Sequence, residues 1–207
     1  MRACFFGALL ITCFIGSVFA DTVVFSESDV PQHLVTDEFS PRLYYISQPT
    51  PSIYAYDYAQ APNSPAFLVE LNCITRQIER VVEVGSKVTD IALHHENNAI
   101  YVVNWAAGEL LEVDWDSFTI RDTFLFQPGT GTAYDNGDIY RVAAGPFGRV
   151  VIEERSQHVD LRLFDTQNRT VLDLERHYAG GGGSAQGRYY YHASGGVSNS
   201  RITKYDL

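Results

Sequence analysis

The stretch from Ala99 to Ile120 contains two mainly apolar runs on either side of Ala-Ala-Gly. Residues 100–105 are β-branched or aromatic apart from one Asn, which favours an extended strand. Side chains on the two faces of that strand are both apolar: Tyr101, Val103 and Trp105 on one face, and Ile100 and Val102 on the other. A strand that is apolar on both faces is predicted to lie between two packed layers.

Turn chemistry divides this region into short strands. The segment 104–108 contains Ala-Ala-Gly and predicts a hairpin turn before a strand at 110–115. Asp116 and Ser117 then reverse the chain, because their short polar side chains hydrogen-bond the local backbone. With a strand at 88–94 and another at 119–126, the pattern predicts four antiparallel strands within about 40 residues.

The same order of strands recurs along the chain. An Asn or Asp closes the third strand of each unit, at Asn72, Asp114, Asp165 and Asp206, with spacings of 42, 51 and 41 residues. A period near 40–45 residues with four short strands per unit is typical of the blades of a β-propeller. A β-sandwich with unequal loops is the alternative, because it also gives short, evenly spaced strands. The register kept through four units favours the propeller.

This reading assigns residues 21–207 to one all-β propeller domain. Its four-stranded antiparallel blades are predicted at about 33–84, 88–126, 140–175 and 179–207, which makes three full blades and one that lacks its outer strand. Closed propellers have roughly four to eight blades. We therefore expect a partial ring, in a fragment or truncated chain, and we expect Asp21–Phe25 to supply the missing strand of the last blade.

One unit resembles a known family of repeats. The run Tyr101-Val102-Val103-Asn104, followed by Gly108, Asp114 and Thr119, is similar to the YVTN-type propeller repeat. The segment 66–85 resembles the second half of that repeat, while the later units keep only parts of it. The resemblance implies a propeller fold and leaves the function open, because these motifs specify the fold alone.

The first twenty residues have the layout of a secretory signal peptide. Arg2 precedes an apolar run to Phe19, and small Ala20 comes before Asp21. A single membrane anchor is the alternative, but the run is shorter than the roughly 20 residues that span a bilayer. Cys13 hints at a lipoprotein motif, which the following apolar chain disfavours. We expect a secreted or extracytoplasmic protein, in a periplasm or at a cell surface.

Charge limits the classes of partner that we expect, and cysteine content limits the disulfides. The chain has 15 basic and 25 acidic residues, a formal charge of −10, which becomes −11 once Arg2 leaves with the leader. Such an acidic protein should repel nucleic acid and anionic lipid, so neither is expected as a partner. Cys73 alone remains after cleavage, which excludes an internal disulfide. We expect it to be a buried thiol rather than a reactive one.

Aromatic residues suggest a binding surface on one face of the ring. The insert from Ser47 to Pro65 holds three alternating tyrosines, and the loop from Gln127 to Asp138 holds another. Together with the Trp after the second strand, they are predicted to form a rim suited to a protein or glycan, namely Tyr54, Tyr56, Tyr58, Trp105 and Tyr134. The alternative is that the insert packs its tyrosines over a neighbouring loop as a lid.

Other motifs give little support for catalysis. His94 and His95 point to opposite faces of a strand, so a surface loop is expected rather than a metal site. The Asp135–Asp138 segment lacks the later ligands of a calcium loop and is predicted to be a turn. The Gly-rich stretch 179–187 lacks a phosphate-loop ending. No metal, cofactor or catalytic residue is therefore assigned, and Asn168 is marked as a glycosylation sequon.

The preferred interpretation is a non-catalytic propeller that presents a binding face to a protein or glycan. The alternative is a propeller enzyme or enzyme subunit of the lactonase-like or quinone-dependent dehydrogenase type. A structural repeat module within a large surface protein is the third hypothesis.

Overall fold

The structure is a computed structural model that describes residues 11–13, 21–23, 32–48, 64–126, 138–155, 158–178, 182–186, 188–195 and 200–207. Within these ranges all regular secondary structure is β. None of the described segments forms a helix that is both apolar enough and long enough to cross a bilayer.

The first two sheets each contain four antiparallel strands in chain order. The first consists of β3 (Gln32–Thr36), β4 (Arg42–Ser47), β5 (Pro65–Asn72) and β6 (Gln77–Ser86). The second consists of β7 (Val88–His94), β8 (Ala99–Asn104), β9 (Glu109–Asp114) and β10 (Thr119–Leu125). Both form simple meanders, because each strand pairs with its neighbour in sequence.

The third sheet repeats this arrangement, and the fourth has three strands. The third consists of β11 (Asp138–Ala144), β12 (Arg149–Arg155), β13 (His158–Asp165) and β14 (Thr170–Tyr178). The fourth consists of β15 (Gly182–Gln186), β16 (Tyr189–Gly195) and β17 (Ser200–Asp206).

The proposed ring-closing strand pairs elsewhere. β2 (Asp21–Val23) pairs antiparallel with β1 (Ile11–Cys13) in a separate two-stranded sheet. The expectation that Asp21–Phe25 would complete the last sheet beside β17 is therefore wrong for its described part. A strand of only three residues, Asp-Thr-Val, has too little hydrophobic pattern to specify the sheet edge with which it pairs.

The four sheets are the blades of a β-propeller, about three and a half of them. The first strands of successive sheets lie side by side, β3 with β7, β7 with β11 and β11 with β15, which places them around a common axis. A β-sandwich would instead bury only one face of each sheet. The fold predicted from the repeat is thereby confirmed.

The core lies between the blades. Ile100 and Val102 pack against residues of the first sheet, including Leu68. Tyr101 and Val103, on the other face of the same strand, pack against the third sheet. The prediction of a strand buried on both faces is confirmed, and every residue of β8 is buried.

Buried glutamates also recur within the blades, each held by a tyrosine and an arginine. Glu112 lies directly opposite Tyr101 across β8 and β9, accepts its hydroxyl at 2.8 Å, and accepts Arg121 Nε at 2.6 Å. Glu70 occupies the matching position in the first sheet, opposite Tyr44. A buried carboxylate is costly unless its charge is paired and its oxygens are hydrogen-bonded, and these partners do both.

In the first three sheets, the Asn or Asp at the end of the third strand closes the following turn. The Oδ1 atoms of Asn72, Asp114 and Asp165 accept backbone N–H groups two or three residues later, at 2.8–3.1 Å. The fourth residue of each turn is left-handed, with φ of 55–58° at Arg76, Phe118 and Arg169. These bonds explain why the sequence keeps Asn or Asp at this point of the repeat.

Cys73 follows the first of these anchors and is buried beside Leu43, Tyr45, Val69 and Leu71. It is a buried thiol, as expected.

Replacing Asp114 with Ala should lower the free energy of unfolding by about 1–2 kcal/mol, because Ser117 loses a backbone and a hydroxyl bond at 2.8 and 2.9 Å. Asp114→Asn keeps an acceptor oxygen and should recover most of the loss. Urea denaturation of the three proteins measures the difference. An unchanged midpoint for Asp114→Ala would show that the turn does not depend on this side chain.

Candidate functional site

The tyrosine rim is predicted for the upper face, which we define by the turns between second and third strands and the connections between sheets. Tyr54, Tyr56, Tyr58 and Tyr134 lie outside the described residues. Trp105 is described, and only 2 % of its surface is exposed. It packs between the second and third sheets, because the indole follows the apolar face of β8 into the core, and it therefore does not lie on an exposed rim as predicted.

A recess opens at the opposite end of the strands. We define this lower face by the turns 37–41, 73–76, 95–98, 115–118, 146–148 and 166–169, which join first to second and third to fourth strands. The interblade recess lies on it where the first two sheets meet, with a volume of about 380 Å³. Its lining residues are Asp37, Ser40, Arg42, Arg80, His95, Asn98, Trp115 and Asp116.

The first sheet supplies a pair of arginines over a buried carboxylate. Glu70 is fully buried and pairs with Arg42 Nε at 2.8 Å and with Arg80 Nε. Arg80 also reaches across to the second sheet, where Nη1 donates to the backbone oxygens of Trp115 and Asp116 at 2.7 and 2.8 Å. Burial, with the Glu70 charge beside it, raises the pKa of the Tyr44 hydroxyl well above its ordinary value, so Tyr44 stays protonated.

The turn at 37–41 forms one side of the recess. Asp37 accepts the backbone N–H of Phe39 at 3.0 Å and the hydroxyl of Ser40. Its Oδ1 also lies 3.6 Å from Nε2 of His95. The carboxylate is therefore occupied by its own turn, and it orients His95 at the entrance.

The second sheet supplies an aromatic wall and an amide–carboxylate pair. His95 packs against Trp115 with ring centroids 4.8 Å apart and the ring planes tilted by 41°, and Phe39 meets His95 edge-on at 4.6 Å. Asn98 Nδ2 donates to Asp116 Oδ2 at 2.7 Å. The recess therefore presents hydrogen-bond donors, acceptors and flat apolar area together, a combination that orients ligands in binding sites.

Two exposed phenylalanines stand at hairpin tips on this face. Phe39 in the first sheet is 75 % exposed and Phe147 in the third is 70 % exposed. The tips are linked through the second sheet, because Glu96 Oε2 accepts the backbone N–H of Phe147 at 2.7 Å and His95 contacts Phe39. Exposed aromatic residues beside a recess are typical of protein interaction surfaces.

The two adjacent histidines have different environments. His95 is on the surface, as expected, whereas His94 is buried and was wrongly expected there. His94 Nδ1 accepts the backbone N–H of Asn97 at 3.2 Å, and its Nε2 lies 3.3 Å from the Arg149 oxygen. Burial lowers the pKa of His94. Among the described residues, no three His, Cys, Asp or Glu side chains are grouped closely enough to hold a metal ion.

A second group of ionisable residues, the axial cluster, lies where the inner strands meet. It consists of His33, Asp90, Arg141, Glu153 and Tyr190. Asp90 accepts Val142 N–H from the third sheet at 3.0 Å, and Tyr190 of the fourth sheet donates its hydroxyl to Glu153. Because its oxygens accept hydrogen bonds from neighbouring sheets, this cluster holds adjacent blades together. The recess is therefore the better candidate for ligand binding.

The sequon residue Asn168 lies on the exposed turn 166–169 of the lower face. Its backbone N–H and its Nδ2 both donate to Asp165, at 2.9 and 3.0 Å. The side chain is thus at the surface, on a tight turn of the third sheet.

Sequence reasoning missed the recess because its walls come from two sheets. Arg42 and Arg80 are ordinary strand residues in the sequence, and Asn98 and Asp116 belong to turns that were assigned only a structural role. A usable signal was the cross-strand position of Glu70 opposite Tyr44, because a strand-centre glutamate on a buried face requires cationic partners nearby.

Comparisons with known proteins support the fold. No family model matches the sequence, and no curated protein matches it significantly. Solved structures do match. Hydrazine synthase of Kuenenia stuttgartiensis is 11 % identical, with a TM-score of 0.59, over 93 % of this chain and 49 % of that chain.

Two further structures show the same architecture. The WD40 repeats of RRP9 are 10 % identical, with a TM-score of 0.57, over 87 % of this chain and 49 % of theirs. TolB from Acinetobacter baumannii is 9 % identical, with a TM-score of 0.61, over 91 % of this chain and 43 % of that chain. The chain spans about half the length of these solved structures, and at this identity the likeness concerns the fold alone.

The axial cluster predicts opposing effects of pH on stability. Burial raises the pKa of Asp90 from 3.8 to about 7, so the folded protein holds an extra proton and stability falls as pH rises from about 4 to 7. Burial and the nearby Arg141 charge lower the pKa of His33 from 6.5 to about 4, so the contribution of His33 to folding stability rises as pH rises between about 4 and 6.5.

Urea unfolding between pH 4 and 7 should separate the two effects. Relative to the unmodified protein, Asp90→Asn should gain stability as pH rises, and His33→Asn should lose it. Profiles parallel to that of the unmodified protein would contradict both assignments.

Proposed function

We propose that this chain is a non-catalytic binding module that uses the lower face of its blades to hold a protein or glycan. The observation that carries the proposal is the interblade recess, with the exposed ring of Phe39 beside it and the exposed ring of Phe147 on the same lower face. Interface energy is concentrated where aromatic and arginine side chains surround a pocket, and this face offers both.

The position of the arginines supports a pre-formed site. Arg42 and Arg80 are held by Glu70, and Arg80 is also bonded to the backbone of the next blade. A side chain that is already oriented loses less conformational freedom when a ligand binds, so more of the contact energy contributes to affinity.

We also propose a repeat family and a cellular location for the chain. We infer a divergent YVTN-type repeat protein from the Tyr101–Asn104 run, and a secreted or cell-surface protein from the leader-like residues 1–20. An N-linked glycan at Asn168 belongs to the same proposal, supported by the exposure of its turn.

Changing both Phe39 and Phe147 to Ser should reduce ligand retention at least tenfold, because the exposed rings would no longer cover apolar surface of the partner. Stability should change by less than about 1 kcal/mol, since both residues are exposed. The immobilised full chain is exposed to secreted material of its source organism, and the retained proteins and glycans are quantified.

The matched control is Ile78→Ser with Leu172→Ser, which removes two exposed apolar residues from outer strands. Retention should survive in this control. Equal retention by all three proteins, or loss only in the outer-strand variant, would show that the lower face is not the binding surface.

Expression of the full chain in a eukaryotic host tests the location. We expect a secreted product that begins at Asp21 and gains electrophoretic mobility when N-glycans are removed enzymatically. Asn168→Gln should abolish that mobility change. Intracellular product that keeps Met1 would contradict secretion, and secreted product without the mobility change would contradict glycosylation.

A further inference from the structure

The charges around the interblade recess nearly cancel. Of the residues that line it, Arg42 and Arg80 are positive, while Asp37 and Asp116 are negative. The lining charges sum to zero with neutral His95 and to one positive charge with protonated His95, and the carboxylates of Glu70 and Glu79 lie beside the arginines outside the lining. Because Coulomb attraction depends on the net charge as well as on distance, this recess favours neither a cation nor an anion.

Arg42 lines the recess and offers hydrogen-bond donors to a ligand. Its Nε pairs with Glu70 at 2.8 Å and lies 3.7 Å from Glu79. Within the described part of the chain, no hydrogen bond engages its two terminal amino groups, and 40 % of the side chain is exposed. A guanidinium fixed through Nε presents two parallel N–H donors to an incoming oxygen.

Acceptors face the recess from the second sheet. Asn98 Nδ2 donates to Asp116 Oδ2 at 2.7 Å. This bond leaves the side-chain carbonyl oxygen of Asn98 and the second carboxylate oxygen of Asp116 to act as acceptors. Donors and acceptors therefore come from opposite walls of one recess. A ligand that fits must accept from one wall and donate to the other.

The aromatic residues define the remaining surface. Trp115 and His95 are in tilted contact at 4.8 Å, the His95 side chain is 38 % exposed, and Phe39 extends this apolar surface at the rim. A flat ring with C–H groups on its face and hydroxyls at its edge matches such a site, because each hydroxyl both donates and accepts a hydrogen bond.

We propose that the interblade recess binds an uncharged saccharide unit of a glycan, with Arg42 donating, Asn98 and Asp116 accepting, and His95 and Phe39 contacting the sugar face. This inference rests on the proposed function, since it names the ligand class of the same site. The volume of about 380 Å³ accommodates one or two sugar rings in a site of the usual ligand size.

Binding of the full chain to an array of neutral, sialylated and sulfated oligosaccharides tests the proposal. We expect binding to neutral glycans, with at least tenfold weaker binding by Arg42→Lys, which loses the paired donors, and by Asp116→Ala, which loses an acceptor. The matched controls, Arg188→Lys and Asp173→Ala, change exposed residues elsewhere and should stay within twofold. Urea midpoints confirm that each variant is folded.

Three outcomes would overturn the inference. Binding only to sialylated or sulfated glycans would indicate an anion site. Equal binding by the recess variants and the controls would place the sugar elsewhere. If no glycan binds but proteins are still retained through Phe39 and Phe147, the inference fails and the proposed function stands. If neither glycans nor proteins are retained, the proposed function fails as well.

Discussion

The first three sheets of this protein each have two apolar faces, and that single constraint determines the architecture. A sheet with one apolar face can stop at two layers, but β8, buried along its whole length, requires a neighbour on each side. Successive sheets then rotate around an axis instead of stacking in a pair, and the core is divided into the clusters between blades. Burial of apolar area, at about 25 cal/mol per Å², makes these interblade contacts the main source of stability.

The buried glutamates connect this core to the surface. Burying a carboxylate such as that of Glu70 is costly unless it is paired, and Arg42 and Arg80 lie beside it as its partners. Both arginines also line the interblade recess. The donors of the candidate site are therefore positioned by an interaction that the fold itself requires, which explains how a site made from two sheets keeps a defined shape.

Sequence patterns predicted the parts of the structure that depend on local information. Alternation identified the two faces of β8, and turn chemistry identified the anchors Asp114 and Asp165. The sequence could not reveal contacts between sheets, such as Arg80 with the backbone of Trp115. Trp105 was misread because an aromatic residue at the end of a strand has the same local pattern whether it faces solvent or the next blade.

Edge selection failed for a similar reason. The short strand β2 could pair with any free edge, and its partner depends on the energy of the whole assembly. The wrong assignment of His94 has a different cause. Its backbone belongs to a strand end, but a bond from Asn97 and contact with the third sheet draw the ring inward.

The left-handed corners of the turns have a consequence for how the blades come together. Glycine is the residue that relaxes most easily at φ near +55°, yet these corners carry Phe118 and Arg169. Phe118 packs near Tyr44 of the preceding sheet, and Arg169 lies over Phe124 of the sheet before its own. These contacts, which offset the backbone strain, form only when that earlier sheet is already present. Hairpin closure in one blade is thereby coupled to completion of the previous one, which favours cooperative, directional assembly of the ring over independent folding of its units.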